Sequence, residues 1–477
     1  MQPTPARGNL GGIIGVWSRT ADDVSAPANS MLKILKHRGA SDGLESLESA
    51  KRSVVLGCVS HSKSLQEISR WNDMVIALDG SFYGRKDVTG ANYVLRRVKT
   101  LSTRRALYEI VRETGGFAGL VAQRNGLVAF RDVNGLKPLY YARSARRVAF
   151  ASEMKAIWRI GFKNPRPIAA GSIVKLTREG ITTIPIVRFS RPRERDISFQ
   201  YASKRLHQLL SNSIRRISDY SGKICVAFSG GLDSAVTAAI AKSCGVDLEA
   251  VSVGMVGSSE VSSVERFANQ LGLPITVETF SADSIEEYVR RVLWLIEEPN
   301  LMKLSVAIPI HWAAKVAAQR GCQLILCGQG SDELYGGYSK YATTLRTRGR
   351  RGLIAHLYKS VVGSSQVNYE RDDKATSPFP VELRTPFADP DLIKFSLAIP
   401  SEFKVRDGND TTRKWILRDV ARNAGVPEEI VWRRKKAIQH GTGVEKAILK
   451  LAKYHGLHPD LFLSKTFEEV KTMESIP

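Results

Sequence analysis

Ser229-Gly230-Gly231-Leu232-Asp233-Ser234 follows the apolar run 224–228 and opens a helical pattern in which Ala235, Val236, Ala238, Ala239 and Ile240 are apolar. A strand, a Gly-rich turn and a helix N-terminus make an anion site. Glycines let the backbone approach closely, and free amides and the helix dipole favour phosphate. Ser229, Gly230, Gly231 and Ser234 are therefore candidates to hold a nucleotide such as ATP. No Gly-Lys-Ser/Thr follows, so this is not a Walker loop. Asp233 instead sets a carboxylate beside the phosphates, where it can hold Mg²⁺. A second loop, Gly328-Gln329-Gly330-Ser331-Asp332-Glu333, follows the apolar run 323–327 and offers Asp332 as a second carboxylate for the same cation. The bland alternatives are a tight turn that binds nothing and an acidic pair favoured by a helix dipole alone.

Those loops need a scaffold. From residue 201, helical patterns alternate with the apolar runs 224–228, 249–254, 275–280 and 323–327, which predicts a parallel, helix-flanked sheet. Ligands bind at the carboxyl ends of such strands, where both loops fall. The first half instead reads as short strands and turns, at 75–78, 119–121, 127–131, 148–152 and 172–176. Residues 188–200 carry many charges and little apolar periodicity. The expectation is thus a domain over 8–187, a linker over 188–200 and a second domain over 201–477.

Composition bounds the rest. The 43% of apolar residues suffices for ordinary cores, and no run reaches transmembrane length. No signal-peptide pattern is visible behind the lone Arg7. The five cysteines form no Cys-x-x-Cys pair, and Cys225, Cys322 and Cys327 read as small core thiols in a reduced, cytoplasmic protein. The formal charge of +23 is concentrated in 188–195, 346–351 and 432–436. Such an excess can attract nucleic acid or other anions, but no nucleic-acid-binding motif accompanies it. No membrane partner is expected.

The second half resembles the synthetase domain of the asparagine synthetase B family, whose members cleave ATP to AMP and pyrophosphate. The resemblance rests on the Ser229 loop and on Gly328-Gln329-Gly330-Ser331-Asp332-Glu333 with Gly336-Gly337-Tyr338. It rests further on Glu382-Leu383-Arg384-Thr385-Pro386-Phe387, Lys414-Trp415-Ile416-Leu417-Arg418, and Trp432-Arg433-Arg434-Lys435 with Gly441-Thr442-Gly443. It implies an ATP-pyrophosphatase α/β domain using ATP and Mg²⁺, with Asp233 and Asp332 on the metal. It places Val253 and Gly328 at the nucleotide and Lys435 at the departing pyrophosphate. It assigns Gln329 and Glu333 to catalysis, and Arg384, Lys303 and Glu333 to the carboxylate substrate, aspartate in that family.

The first half resembles a class II glutamine amidotransferase domain, an N-terminal-nucleophile (Ntn) αββα sandwich. The matches are Gly12-Ile13-Ile14-Gly15-Val16, His37-Arg38-Gly39, Arg131-Asp132 with Gly135-Leu136-Lys137-Pro138, and Phe150-Ala151-Ser152-Glu153. Its chemistry departs from the family. The nucleophilic cysteine aligns with Gly11, the glutamine-binding arginine is missing near Cys58-Val59-Ser60-His61, and Asn-Gly-Glu reads Asp79-Gly80-Ser81. This half is therefore expected to be a dead glutaminase.

The synthetase half departs too. Gln329 stands at a family glutamate, and Met302-Lys303-Leu304-Ser305 at a Thr-Thr-x-Arg. The resulting expectation is an AMP-forming, asparagine synthetase-like ligase fed by ammonia, through a separate glutaminase or directly, with a homodimer allowed. Alternatives are a synthetase of β-lactam type acting on another carboxylate and amine, and a basic RNA-associated or regulatory ATP-binding protein.

Overall fold

The computed structural model describes residues 11–475 apart from 21, 50–51, 62–66, 86–89, 124–125, 178, 192, 220–221, 259–260 and 436. Arg7 and Lys436, both weighed in the sequence, lie outside the described residues. The chain divides into two compact units, one running to residue 188 with 377–380 and 468 onward, the other formed by 189–376 and 381–467. Residues 189–200 group with the second unit.

The first unit is built on two six-stranded antiparallel sheets. Strand alternation explains how they stack. From the Met74–Phe82 strand, Val75 and Ala77 enter a core shared with Ile13, Trp17 and Leu56 of the other sheet. Met74, Ile76 and Leu78 point the opposite way, onto Val94 and Leu107 of the helices Gly90–Thr100 and Thr103–Ile110. The Ser25–Ile34 helix covers the outer face of the first sheet. The layers are helix, sheet, sheet, helix, the Ntn-type sandwich expected from the motifs. Strands buried on both faces lose clean polar alternation, which is why they read in the sequence only as short apolar runs.

The second unit holds a five-stranded parallel sheet in the order Ile275–Phe280, Leu248–Met255, Ile224–Ala227, Leu324–Leu326, Glu382–Arg384. Helices Leu232–Ser243, Val261–Gln270 and Leu301–Gln319 pack against it. The Phe199–Ser218 helix starts at a Ser198 cap, whose hydroxyl accepts from Tyr201 N at 3.2 Å. The two loops rich in glycine leave adjacent strands, Ile224–Ala227 and Leu324–Leu326, at their carboxyl ends.

Two expectations change. Cys225 and Cys322 form a disulfide rather than remaining free thiols. Parallel pairing of Ile224 with Leu324 accompanies a Cys225–Cys322 Cα distance of 6.1 Å, a proximity hidden by a sequence separation of 97. The Leu301–Gln319 helix starts at Asn300, which caps it by accepting from Lys303 N at 3.0 Å, and it continues through Pro309. That helix is also long and apolar enough, by length and composition, to cross a membrane, but 61% of the relevant window is buried inside the protein.

Candidate active site

The Ser229 loop turns from strand to helix at Gly231, the residue before the Leu232–Ser243 helix. Its geometry is set by its own hydroxyls: Ser229 Oγ accepts from Gly231 N at 3.3 Å, and Ser234 Oγ donates to Gly231 O at 3.1 Å. Asp233 therefore stands in the first turn with its carboxylate over the loop. Gly328 brings the second loop against it, with ideal Cβ only 2.7 Å from Asp233 Cβ. Asp332 follows in the short Ser331–Tyr335 helix.

The two carboxylates converge on one cation. Lys414 Nζ lies 2.6 Å from Asp233 Oδ1, 2.5 Å from Asp332 Oδ1 and 2.8 Å from Ser331 Oγ. Lys435 Nζ closes the other side, 2.8 Å from Asp332 Oδ2 and 3.4 Å from Asp233 Oδ2. Burial alone would raise the Asp233 pKa, but the Lys414 and Lys435 charges hold the carboxyl well below the usual range. Burial likewise works against charge on Lys435, and the Asp332 and Asp233 carboxylates overcome it, raising its pKa. The site is a neutralised quartet, two acids and two bases, ready to exchange partners when phosphates enter. Two carboxylates from two strand ends that already share one cation suit Mg²⁺, a hard ion that takes one or two protein carboxylates and completes its shell with phosphate and water.

Lys414 carries no assigned role in the sequence reading, although it opens the Lys-x-x-Leu-Arg match. Its backbone is left-handed, φ 55° and ψ 33°, just before the Trp415–Asn423 helix. Arg418, on the first turn of that helix, fixes the loops on both sides. Its guanidinium donates to Arg413 O at 2.8 Å, to Thr412 O at 2.6 Å and to Val431 O. Arg433 ties the next turn to the phosphate loop by donating to Gly230 O at 2.9 Å. Ser229, Gly231, Asp233, Lys414, Arg434 and Lys435 line one pocket. Val253 lies in the adjacent Leu248–Met255 strand, whose Met255 N donates to Thr442 O at 2.8 Å.

The expected substrate groups divide. Glu333 is buried, and its Oε1 accepts from Tyr338 OH at 2.9 Å and Asn368 Nδ2 at 2.8 Å. Its Oε2 has no hydrogen-bond partner among the described residues. Burial first, then the Asp332 charge, raise its pKa. Gln329 sits on the same loop, its carbonyl accepting from Thr385 Oγ1. Arg384 and Lys303 do not join this group. Arg384 is buried, with its guanidinium on Glu382 Oε2 at 2.7 Å and Ile217 O at 2.6 Å. Lys303 Nζ is held by Glu298 Oε2 at 2.5 Å and Gln366 O at 3.2 Å. Both expected carboxylate binders are thus engaged with the protein itself.

In the first unit, the nucleophile position is filled by backbone. Gly11 begins a buried strand, and an ideal Cβ on it would fall 2.0 Å from Val59 O. Cys58, the alternative thiol, is buried, and burial followed by the Glu67 charge pushes its pKa up to about 12. Asp79, where the family places an oxyanion donor, has Arg38 and Lys137 nitrogens 3.6 Å away. Glu153 accepts from Arg38 Nε at 2.5 Å, bonds His37 Nε2 at 3.1 Å and pairs with Lys155.

Comparison with known proteins agrees with both halves. The asparagine synthase family model matches residues 205–368 and 355–461, and a glutamine amidotransferase domain model matches 62–159. A chain named as a glutamine-hydrolysing asparagine synthetase from Methanocaldococcus jannaschii is 33% identical over 388 residues, 71% of each protein. Asparagine synthetase B of Escherichia coli, also named as glutamine-hydrolysing, is 25% identical over 472 residues, covering 90% of this chain and 82% of that one.

Proposed function

Because the chain belongs to the asparagine synthase family, ATP-dependent carbon–nitrogen ligases, we propose that it adenylates aspartate and amidates it with free ammonia rather than with nitrogen from its own glutaminase. The observation that carries the reading is the convergence of Asp233, Asp332, Lys414 and Lys435 at the ends of two adjacent parallel strands.

The Ser229 loop holds the phosphates by its amides and the helix dipole. The carboxylate substrate attacks the α-phosphorus, and pyrophosphate leaves. Lys435 and Lys414 are released from the carboxylates to meet the negative charge that accumulates on the leaving group. Mg²⁺ held by Asp233 and Asp332 would supply charge neutralisation and fix the phosphates in line. Ammonia then attacks the acyl carbon and AMP departs. Glu333 Oε2, buried and unpartnered, is placed to accept a hydrogen bond from the incoming amine, while Gln329 can orient it but cannot take its proton.

The ammonia part rests on the first unit. Glutamine hydrolysis of this type needs a cysteine bearing a free α-amine, and the aligned position has neither side chain nor room for one. A second reading, another carboxylate and amine in the same AMP-forming reaction, is favoured by the engagement of Arg384 with Glu382 and of Lys303 with Glu298. ATP–pyrophosphate exchange tests both. Exchange dependent on aspartate, with asparagine formed from ammonium, supports the first. Exchange with a different acid and none with aspartate replaces it by the second.

A further inference from the structure

The family reaction does not account for the chain's charge of +23. In the second unit that charge is organised. The Ser339–Ser364 helix carries four arginines and two lysines and no acidic residue. Gly349 (φ 64°, ψ −174°) breaks it into two helical segments in the middle of the arginine run. Arg350 is paired, with Glu194 at 2.7 Å and Glu402 at 2.6 Å. Arg346, Arg348 and Arg351 are exposed and have no acidic partner among the described residues.

The basic face continues toward the synthetase pocket. Arg346 Nη1 donates to Asn409 Oδ1 at 3.3 Å, joining the helix to the 406–410 turn. There the exposed Arg406 stacks 3.3 Å from the centroid of Trp415. Trp415 meets Trp432 edge-on at 5.8 Å, and Trp432 is 43% exposed. Two residues on, the exposed Arg434 lines the pocket itself. Acids along the way are mostly committed. Asp410 is consumed by the N–H groups of Arg406, Thr412 and Arg413 and the Trp415 indole, and Glu428 by Arg422 and the Trp432 indole.

We propose that this track, from Arg346, Arg348 and Arg351 through Arg406 to Trp432 and Arg434, is a binding surface for single-stranded nucleic acid. Arginine forks match phosphate oxygens in pairs, and a line of them without neutralising acids follows a sugar–phosphate backbone. An exposed indole set among those arginines is a stacking platform for an unpaired base. An acidic polypeptide would use the charges but has no planar group for the indole, and a duplex keeps its bases stacked away from it.

The test is fluorescence anisotropy of a labelled oligouridylate of about twenty nucleotides, titrated with the full chain between about 50 and 200 mM salt. Binding should weaken steeply with salt. Replacing three phosphate-contacting arginines (Arg346→Gln, Arg348→Gln, Arg351→Gln) should reduce the slope of log K against log salt by about 2. Circular dichroism checks that the variant is folded. Trp432→Ala should weaken binding about tenfold with the slope unchanged, because stacking releases no counterions. Absence of binding at the low-salt end overturns the proposal, as does an unchanged slope in the arginine variant. Displacement by polyglutamate of equal charge as readily as by unlabelled oligouridylate, with Trp432→Ala without effect, identifies an acidic polypeptide surface instead and also overturns it.

Discussion

Lys414 is held in a left-handed backbone conformation that lysine seldom takes, and its reward is contact with two carboxylates and a serine hydroxyl at once. Removing it leaves two half-buried acids opposite one base. Lys414→Ala should therefore lower melting temperature as well as turnover, whereas Lys435→Ala, at the more open side of the quartet, should mainly lower kcat, by about a hundredfold or more, with little change in ATP KM. Steady-state kinetics of AMP formation paired with thermal melts distinguishes the two. Equal losses of stability would contradict the division of labour drawn here. Gly337 gives a stricter check on the same geometry. An ideal Cβ there falls 1.8 Å from Asp332 Oδ1 and 2.3 Å from Lys414 Cε. Gly337→Ala should abolish pyrophosphate release while leaving the first unit's fold intact, read by activity and near-native circular dichroism. Asp233 and Asp332 were candidates in the sequence because each sits inside a Gly-rich loop whose residue types suit phosphate chemistry, and Lys435 entered only through the family resemblance. Lys414 was not, since its role depends on an αL turn that brings a helix start 181 residues from Asp233 onto that carboxylate. Arg384 and Lys303 show the converse. Their residue types suit a carboxylate, and only packing shows that Glu382 and Glu298 already supply one.

Elements place these groups, and their own chemistry can be probed. The Ser401–Phe403 turn buries Lys404 behind the Pro390–Ala398 helix, with Nζ donating to Ser396 O at 2.6 Å. Burial depresses its pKa to about 7, against an opposing pull from Glu194. The sign of the stability effect follows from proton binding. Above pH 7 the folded state has lost this proton, while the unfolded chain keeps it to its ordinary lysine range. Protonated molecules are thus disfavoured in the fold, and this residue's contribution to stability rises with pH across that window. Lys404→Met should raise the melting temperature more at pH 6 than at pH 9, flattening the profile. A substitution that destabilises equally at both values would show that the Ser396 hydrogen bond, not burial of charge, governs the position. The parallel sheet offers a second check. With Cys225 bonded to Cys322, maleimide labelling after non-reducing denaturation should modify three of the five cysteines. Five labels would return both to the thiols expected from the sequence. Alternation of strand and helix made this sheet readable in advance. Strand order and the neighbours it creates were not, because parallel partners are far apart in sequence.

At the scale of the whole molecule, one unit carries the cluster of Asp233, Asp332, Lys414 and Lys435, and the other a domain in which the position aligned with the family nucleophile is a glycine with no room for a side chain. The buried charges of the second case, Glu153 and Asp79 with Arg38, Lys137 and Lys155, are paired with one another. Gly11→Cys should therefore fail to restore glutamine hydrolysis, and should destabilise the first unit by about 1–3 kcal/mol through overpacking against Val59. Glutamate release from glutamine by that variant, at rates like those of a working amidotransferase, would contradict this. On the proposed reading nitrogen arrives as free ammonia or as another amine, and Gln329 separates the two. A neutral amide leaves deprotonation of the nucleophile to others, so turnover with ammonium should rise with pH as the free-ammonia fraction rises. Asp233 is charged well below that range, and Lys435 keeps its proton above it. Gln329→Glu should add a base beside Glu333 and increase ammonia-dependent asparagine formation. If the natural nucleophile is a larger amine, the same change puts a second carboxylate into a pocket where Glu333 is already pushed toward neutrality, and activity should fall. Asparagine formation from ATP, aspartate and ammonium, measured for both variants across pH, decides the matter. AMP formed only with another acid, and no asparagine from either variant, would retire the ammonia-dependent reading.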